Sequence, residues 1–312
     1  IDALRASLAV RYGLRVGPGV LSQFIAALDD ALLLENERFL QAHEHTLAQY
    51  RQAPFRPPTS AGRSYPADKA ELRCLLNRYL DQVARDGGES AVRVRGLVSP
   101  HIDYQRGGPV YAAVWKRAAE AARAADLVVV LGTDHYGDQP LTLTRQTYRT
   151  PYGDLPTARA IVDELAQTIG AETAFAGELI HRSEHSIELA AVWLHHIRQG
   201  RPCELVPILC GSFAPFVWSE KRPSEDQAYK ALVRTLRQVI DGRQALIVAA
   251  ADLAHVGPAF GGAPQGPVER AQLQIKDEEL VERMCAGDAE GFFAAIQHQN
   301  DRYNICGLPP IY

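Results

Sequence analysis

The chain has 312 residues, of which 46% are hydrophobic and 22% charged, with 33 basic against 37 acidic side chains. At about 150 residues per domain this is two domains, or one large domain with an appendage, with enough chain to bury a core without disulfides or a structural metal. Ordinary Gly and Pro content excludes collagen, coiled coil and disorder, and a net charge of −4 argues against a nucleic-acid or membrane-surface binder, which needs a basic face.

Residues 1 to about 53 read as helical, because Leu21, Phe24, Ile25, Leu28 and Leu32 recur at three- and four-residue spacing. Pro54, Pro57 and Pro58 then break the pattern, as a linker to a main domain would. From about Val92 short β-branched runs alternate with longer amphipathic ones. Strands are predicted over 92–100, 126–132, 141–148, 203–211 and 245–253, and helices over 108–124, 157–169, from Ser183 to Arg198, 226–240, 267–286 and 288–298. Such alternation predicts an α/β domain, with helices layered on both faces of a central mixed sheet. No apolar run is long enough to span a bilayer, and no signal peptide is visible. The sequence opens at Ile1 and its only methionine is Met284, which reads as a trimmed or processed chain. Five cysteines without a CxxC pair read as reduced thiols of a cytoplasmic protein.

The polar residues gather at strand ends. Ser99-Pro100-His101, Gly132-Thr133-Asp134-His135 and Asp252-Leu253-Ala254-His255 each follow a predicted strand. Open α/β sheets bind ligands beyond the carboxyl ends of their strands, so three such placements predict one shared site. Neutral imidazole is the commonest metal ligand, which makes His101 and His135 the first ligand candidates. Glu184-His185 and Asp252 with His255 supply a further ligand or the acid/base group, and Cys306 is a second candidate for the anionic ligand. His181-Arg182-Ser183-Glu184-His185 matches the H-x-x-E-H peptidase signature. With a helix capped at Ser183, however, His181 falls outside it, and the two imidazoles are not held on one turn. His195 and His196, near that helix's end, read as solvated. No nucleotide-binding glycine motif and no G-x-S-x-G elbow is present.

Taken in order, Ala61-Gly62 with Tyr65-Pro66, Ser99-Pro100-His101, Leu131-Gly132-x-Asp134-His135, Thr150-Pro151-Tyr152-Gly153-Asp154-Leu155, Glu184-His185-Ser186-Ile187-Glu188, Val206-Pro207-Ile208-Leu209, Asp252-Leu253-x-His255-x-Gly257 and Asn304-Ile305-Cys306-Gly307 resemble the Memo family. Its bacterial members are called AmmeMemoRadiSam system protein B. The resemblance covers residues 54–312 and likens residues 1–53 to the helical, winged-helix-like extension of some relatives. It implies a fold similar to that of class III extradiol dioxygenases, a metal held by His101, His135 and Cys306, and His255 with Asp252 in the proton-transferring place.

The cofactor so implied is a divalent metal, Fe(II) first, with zinc or copper as alternatives. The ligand is a small molecule or peptide in the cleft, and functional partners come from the AMMECR and radical-SAM families. Three departures bear on the site. Thr133-Asp134-His135 replaces the family's Ser-His-His, Pro100-His101-Ile102-Asp103-Tyr104 replaces Pro-His-Ala-Gly-Tyr, and Ser64 replaces a Trp. The first two place Asp134, Asp103 and Tyr104 at the expected substrate pocket. Relatives continue through another helix and strand where this sequence reaches Tyr312, so the resemblance implies a C-terminally incomplete domain. Two functional classes stay open: a non-haem iron oxygenase or related metalloenzyme, and a non-catalytic binder of metal or partner with a vestigial site.

Overall fold

The structure is a computed structural model that describes residues 1–84 and 94–312. The chain forms two compact units, Ile1–Gln52 and Ala53–Tyr312. The first holds three helices, Asp2–Tyr12, Pro18–Asp30 and Glu37–Gln52, and among the described residues no strand that would make a wing. Gly13, at φ 68°, ends the first of them in the left-handed conformation that glycine adopts without a Cβ penalty.

The second unit is α/β. Its sheet contains β1 (Gly96–Ser99), β2 (Leu127–Thr133), β3 (Leu141–Leu143), β6 (Glu204–Cys210) and β7 (Ala245–Ala250), in the order β1-β7-β2-β6-β3. All neighbours are parallel except β3, which runs antiparallel to β6. A separate hairpin joins β4 (Tyr148–Thr150) to β5 (Gly153–Leu155). Side chains of successive strand residues point to opposite faces, and the core divides accordingly. Val128, Val130, Leu246 and Val248 pack on one face with the helices Tyr104–Arg117 and Ser186–Ile197. Leu127, Val129, Val206 and Ile208 pack on the other with Arg159–Ile169, Gln227–Ile240 and Ala289–Gln297. Near-continuous apolar runs such as 127–130 follow from this two-sided burial.

Several elements differ from the sequence reading. Of the strand expected over 92–100, residues 92 and 93 lie outside the described residues and the strand is Gly96–Ser99. The strand expected over 141–148 is two strands in different sheets, β3 and β4, with Thr144 taking Glu178 as a hydrogen-bond partner at 3.0 Å between them. The helix expected over 108–124 begins at Tyr104, because the Asp103 carboxylate caps it by accepting from Arg106 N–H, and a second helix, Ala119–Ala124, follows. The helix Lys69–Gln82 was not anticipated. Asp68 caps it, accepting from the Ala70 and Glu71 N–H groups at 2.8 and 2.9 Å. Replacing a cap of this kind by alanine costs about 1 kcal/mol, so Asp68→Ala should lower the urea midpoint by about 0.3–1 M with an unchanged slope.

Candidate metal centre

The carboxyl ends of β1, β2 and β7 deliver the site. His101, two residues past β1, is 2% exposed. Its N–H donates to Asp252 Oδ1 at 3.2 Å, and its Nδ1 lies 3.0 Å from the Ala250 carbonyl. His135, two residues past β2, sets both its N–H and its Nδ1 on Glu184 Oε2, at 3.2 and 3.0 Å. His185 sets Nδ1 on Glu184 Oε1 at 3.1 Å. His255 sets Nδ1 on the Leu253 carbonyl at 2.9 Å, and its backbone N–H donates to Tyr303 at 2.8 Å. In a neutral ring, an Nδ1 that faces a carbonyl or carboxylate oxygen carries the hydrogen, and the lone pair is left on Nε2.

The rings converge. The centroids of His101 and His135 are 5.1 Å apart, those of His135 and His185 4.9 Å apart and stacked, and those of His101 and His185 5.5 Å apart. Ligand-capable atoms of these three lie within 4.8 Å of one another. Cys306 Sγ completes the group, 3.4 Å from His101 Nε2 and 3.8 Å from His255 Nε2. Gly307 makes this position reachable: its N–H donates to Asp252 O at 3.0 Å, and a Cβ there would meet that oxygen at 2.4 Å.

The electrostatics follow from these contacts. Burial pushes the Cys306 thiol up, but hydrogen bonds with His101, His135 and His255 outweigh it and hold it at about 4. Burial likewise lowers His135, and its bonds to Cys306 and Glu184 more than reverse this, raising it to about 10. Burial would raise Glu184, yet His135 and His185 keep it well below the ordinary carboxylate range. A fully buried carboxylate is stable here because it accepts four hydrogen bonds, three of them from the backbone N–H groups of His135, His185 and Ser186, and stands 3.1 Å from His185 Nδ1.

The structure thus brings together His101, His135, His185, His255 and Cys306, with Glu184 and Asp252 behind them. His185, which sequence alone left between ligand and acid/base, stands among the ligand atoms. Two expected pocket residues, Asp103 and Tyr104, are occupied otherwise. Asp103 caps its helix and pairs with Arg106 at 2.5 Å. Tyr104 is fully buried, with its hydroxyl donating to Leu189 O at 2.6 Å. Asp134 does line the cleft beside the cluster, with its Oδ1 accepting from the Tyr136 and Gly137 N–H groups at 3.0 and 2.7 Å.

The helix does not begin at Ser183. It spans Ser186–Ile197, and the Glu184 carboxylate takes the N-terminal N–H groups that a serine cap would have taken. His181 lies in the preceding 3-10 turn, with Nδ1 2.7 Å from the Tyr148 hydroxyl and Nε2 3.1 Å from Thr142 O. His195 and His196 are not solvated: every residue of their helix is buried. The helix packs on the sheet and on β4, so its far end is covered as well. Gly307 and Ser186, whose hydroxyl donates to Thr133 O at 2.9 Å, were missed as positioning residues. The one signal for Gly307 was a glycine directly after the candidate thiol.

Comparison with known proteins adds a family. A profile described as Memo-like protein matches residues 56–312. The chain is 26% identical over 309 residues to a MEMO1 family protein of Aquifex aeolicus, covering 98% of this chain and 76% of that one. It is 30% identical over 262 residues to a MEMO1 family protein of Methanococcoides burtonii, covering 82% and 84%. It is 27% identical over 307 residues to one of Thermus thermophilus, covering 95% and 83%.

Proposed function

The chain belongs to the Memo family, and from that premise we propose that the cluster is a divalent-metal centre of an oxygenase or related metalloenzyme. Fe(II) is the first choice, with zinc or copper as alternatives. The observation that supports this best is that all four imidazoles have Nδ1 set against oxygen, leaving Nε2 as the ligand atom. This is how metal-ligating histidines are oriented by their outer partners. Separations agree. Metal–sulfur and metal–nitrogen bonds of about 2.3 and 2.1 Å at a tetrahedral angle set their donors about 3.5 Å apart, and Cys306 Sγ stands 3.4 Å from His101 Nε2. Imidazole and thiolate donors suit iron, zinc and copper, and do not suit magnesium or calcium, which take oxygen.

In this reading His101, His135 and Cys306 hold the ion, and His185 is within reach as a fourth ligand. A bound first-row ion supplies Lewis acidity and, as iron or copper, one-electron redox chemistry. His255, half-buried, moves a proton at Nε2, and Leu253 O fixes its other nitrogen so that only that atom faces the cleft. A small molecule or peptide occupies the adjoining cleft, and functional partners are sought among the AMMECR and radical-SAM families. No helix among the described residues is long and apolar enough to cross a membrane.

Purified protein should retain a first-row divalent metal by elemental analysis, and the His101→Ala/His135→Ala variant should lose it while keeping its far-UV circular dichroism. Equal metal in the two proteins would overturn the assignment. Glu184→Gln should weaken metal binding by about 10- to 100-fold, measured by competition with a chelator. The amide presents N–H where one of the two imidazoles needs an acceptor, so that ring is released.

A further inference from the structure

Beside the cluster lies a cleft of about 390 Å³ whose walls begin at His135 and Cys306 and run out to Trp218. Apart from the imidazole of His135, its charged lining is acidic. Asp134 and Asp301 belong to it, and among the described residues no Lys or Arg does. Asp134 is 6% exposed; its Oδ1 is engaged by two N–H groups, but its Oδ2 is buried without a hydrogen-bond partner. A buried carboxylate oxygen without a donor is costly to keep; Oδ2 lies against Gly137, so Asp134 acts on a ligand in the cleft through its charge rather than by accepting from it.

Asp301 is held in place by a loop with left-handed backbone at Asn300, Asp301 and Asn304, at φ 50°, 47° and 51°. Its Oδ1 accepts from Ile305 N–H at 2.8 Å. Such strain at a ligand-lining loop is kept where it fixes a functional side chain. The neighbouring base, Arg302, is exposed and stands over the Tyr303 ring at 4.9 Å, outside the lining. Trp218 at the outer wall is 68% exposed, which leaves an indole free to meet a ligand.

We propose that this cleft takes an organic cation, an amine on an apolar or aromatic body, and rejects carboxylates and phosphates. As the identity of a substrate this rests on the metal reading; as a binding preference it stands alone. A bound divalent ion does not reverse the sign, because the carboxylates of Asp134, Glu184, Asp252 and Asp301 with the Cys306 thiolate outweigh it by three charges. Low-dielectric walls lined by one sign of charge concentrate the opposite one. The Trp218 ring offers the cation a π face.

The test is calorimetric titration with three matched probes, phenethylammonium, phenethyl alcohol and hydrocinnamate, on metal-loaded wild type. The ammonium should bind at least about ten-fold more tightly than the alcohol, with the carboxylate weakest, as close charge contacts in partly buried sites dictate. Asp301→Asn keeps the Oδ1 acceptor for Ile305 and tolerates the left-handed backbone, and it should shrink the ammonium's advantage to about three-fold or less. Trp218→Ala should weaken the ammonium more than the alcohol. A carboxylate that binds as well as the ammonium, an advantage unchanged in both Asp301→Asn and Asp134→Asn, or no binding by any probe at millimolar concentration would overturn the proposal. The preference should survive in His101→Ala/His135→Ala. If wild type holds no metal yet still prefers the ammonium, only the metal reading fails.

Discussion

Acidification from pH 7 to pH 5 should remove several kcal/mol of this protein's stability, well before its carboxylates titrate. The cause is a set of three histidines kept neutral inside the second unit. His181, His195 and His196 are 0%, 1% and 9% exposed. Burial lowers all three, to about 3, 4 and 4, with the positive charges of Arg56, Arg198 and Arg73 respectively adding to it. Their partners are hydroxyls, from Tyr148, Thr150 and Tyr152, so an added proton meets no carboxylate in direct contact.

The sign follows from which state binds the proton. Above about pH 6.5 each ring is neutral both folded and unfolded, and the full stability is present. Between there and about pH 4 only the unfolded chain takes the proton, and each ring costs about 1.4 kcal/mol per pH unit. His101, His135 and His255 are shifted the other way, so in the metal-free protein they bind protons in the folded state first and offset part of this loss as the pH falls through about 6.5. Against a total of about 5–15 kcal/mol, three such rings bring the unfolding midpoint close to pH 5. Urea melts at half-unit steps between pH 7.5 and 4.5 would show this, and His195→Gln/His196→Gln should flatten the trend. A midpoint constant across pH 7.5 to 5 would refute it.

These histidines mark where the sequence was legible and where it was not. The strand ends that carry His101, His135 and Asp252 were readable, since apolar runs of strand length stop abruptly at polar residues, and the parallel sheet then sends each to one edge. The burial of His195 and His196 was not readable, because a helix with polar residues near its end looks amphipathic until a second layer covers it. That layer is the hairpin of β4 and β5, whose first strand begins only at the last residue of the run predicted over 141–148. Glu184 was visible as part of a motif, but its work is set by distance. Four donors and a second imidazole from residues 135, 185 and 186 meet one carboxylate, and no local pattern announces such a convergence. Asp103 and Tyr104 failed as pocket residues for a local reason: an Asp before a helix prefers to cap it, and the next side chain then turns into the core.

Arg56→Met should destabilise the second unit by about 3–5 kcal/mol, and Glu188→Met by a similar amount, because each leaves a buried charge without its partner. Arg56 and Glu188 are 0% and 1% exposed and in direct ion-pair contact. Arg56 also donates to His181 O at 2.7 Å and to Glu184 O at 2.7 Å, with its guanidinium 5.0 Å from the Tyr148 ring centroid. Glu188 accepts from Ser60 N–H at 2.8 Å, Thr59 N–H at 3.1 Å and the Tyr65 hydroxyl at 2.6 Å. The pair therefore ties the proline-rich segment after residue 53 to the helix Ser186–Ile197 and to the backbone of the residue that orients His135 and His185. Removing both charges costs less than the sum of the single losses, since no lone ion remains, and Arg56→Met/Glu188→Met should recover about half of that sum. Additive losses in the double-mutant cycle would mean that the two side chains act separately. A single-variant loss below about 1 kcal/mol, the worth of an exposed pair, would mean that water reaches them in solution.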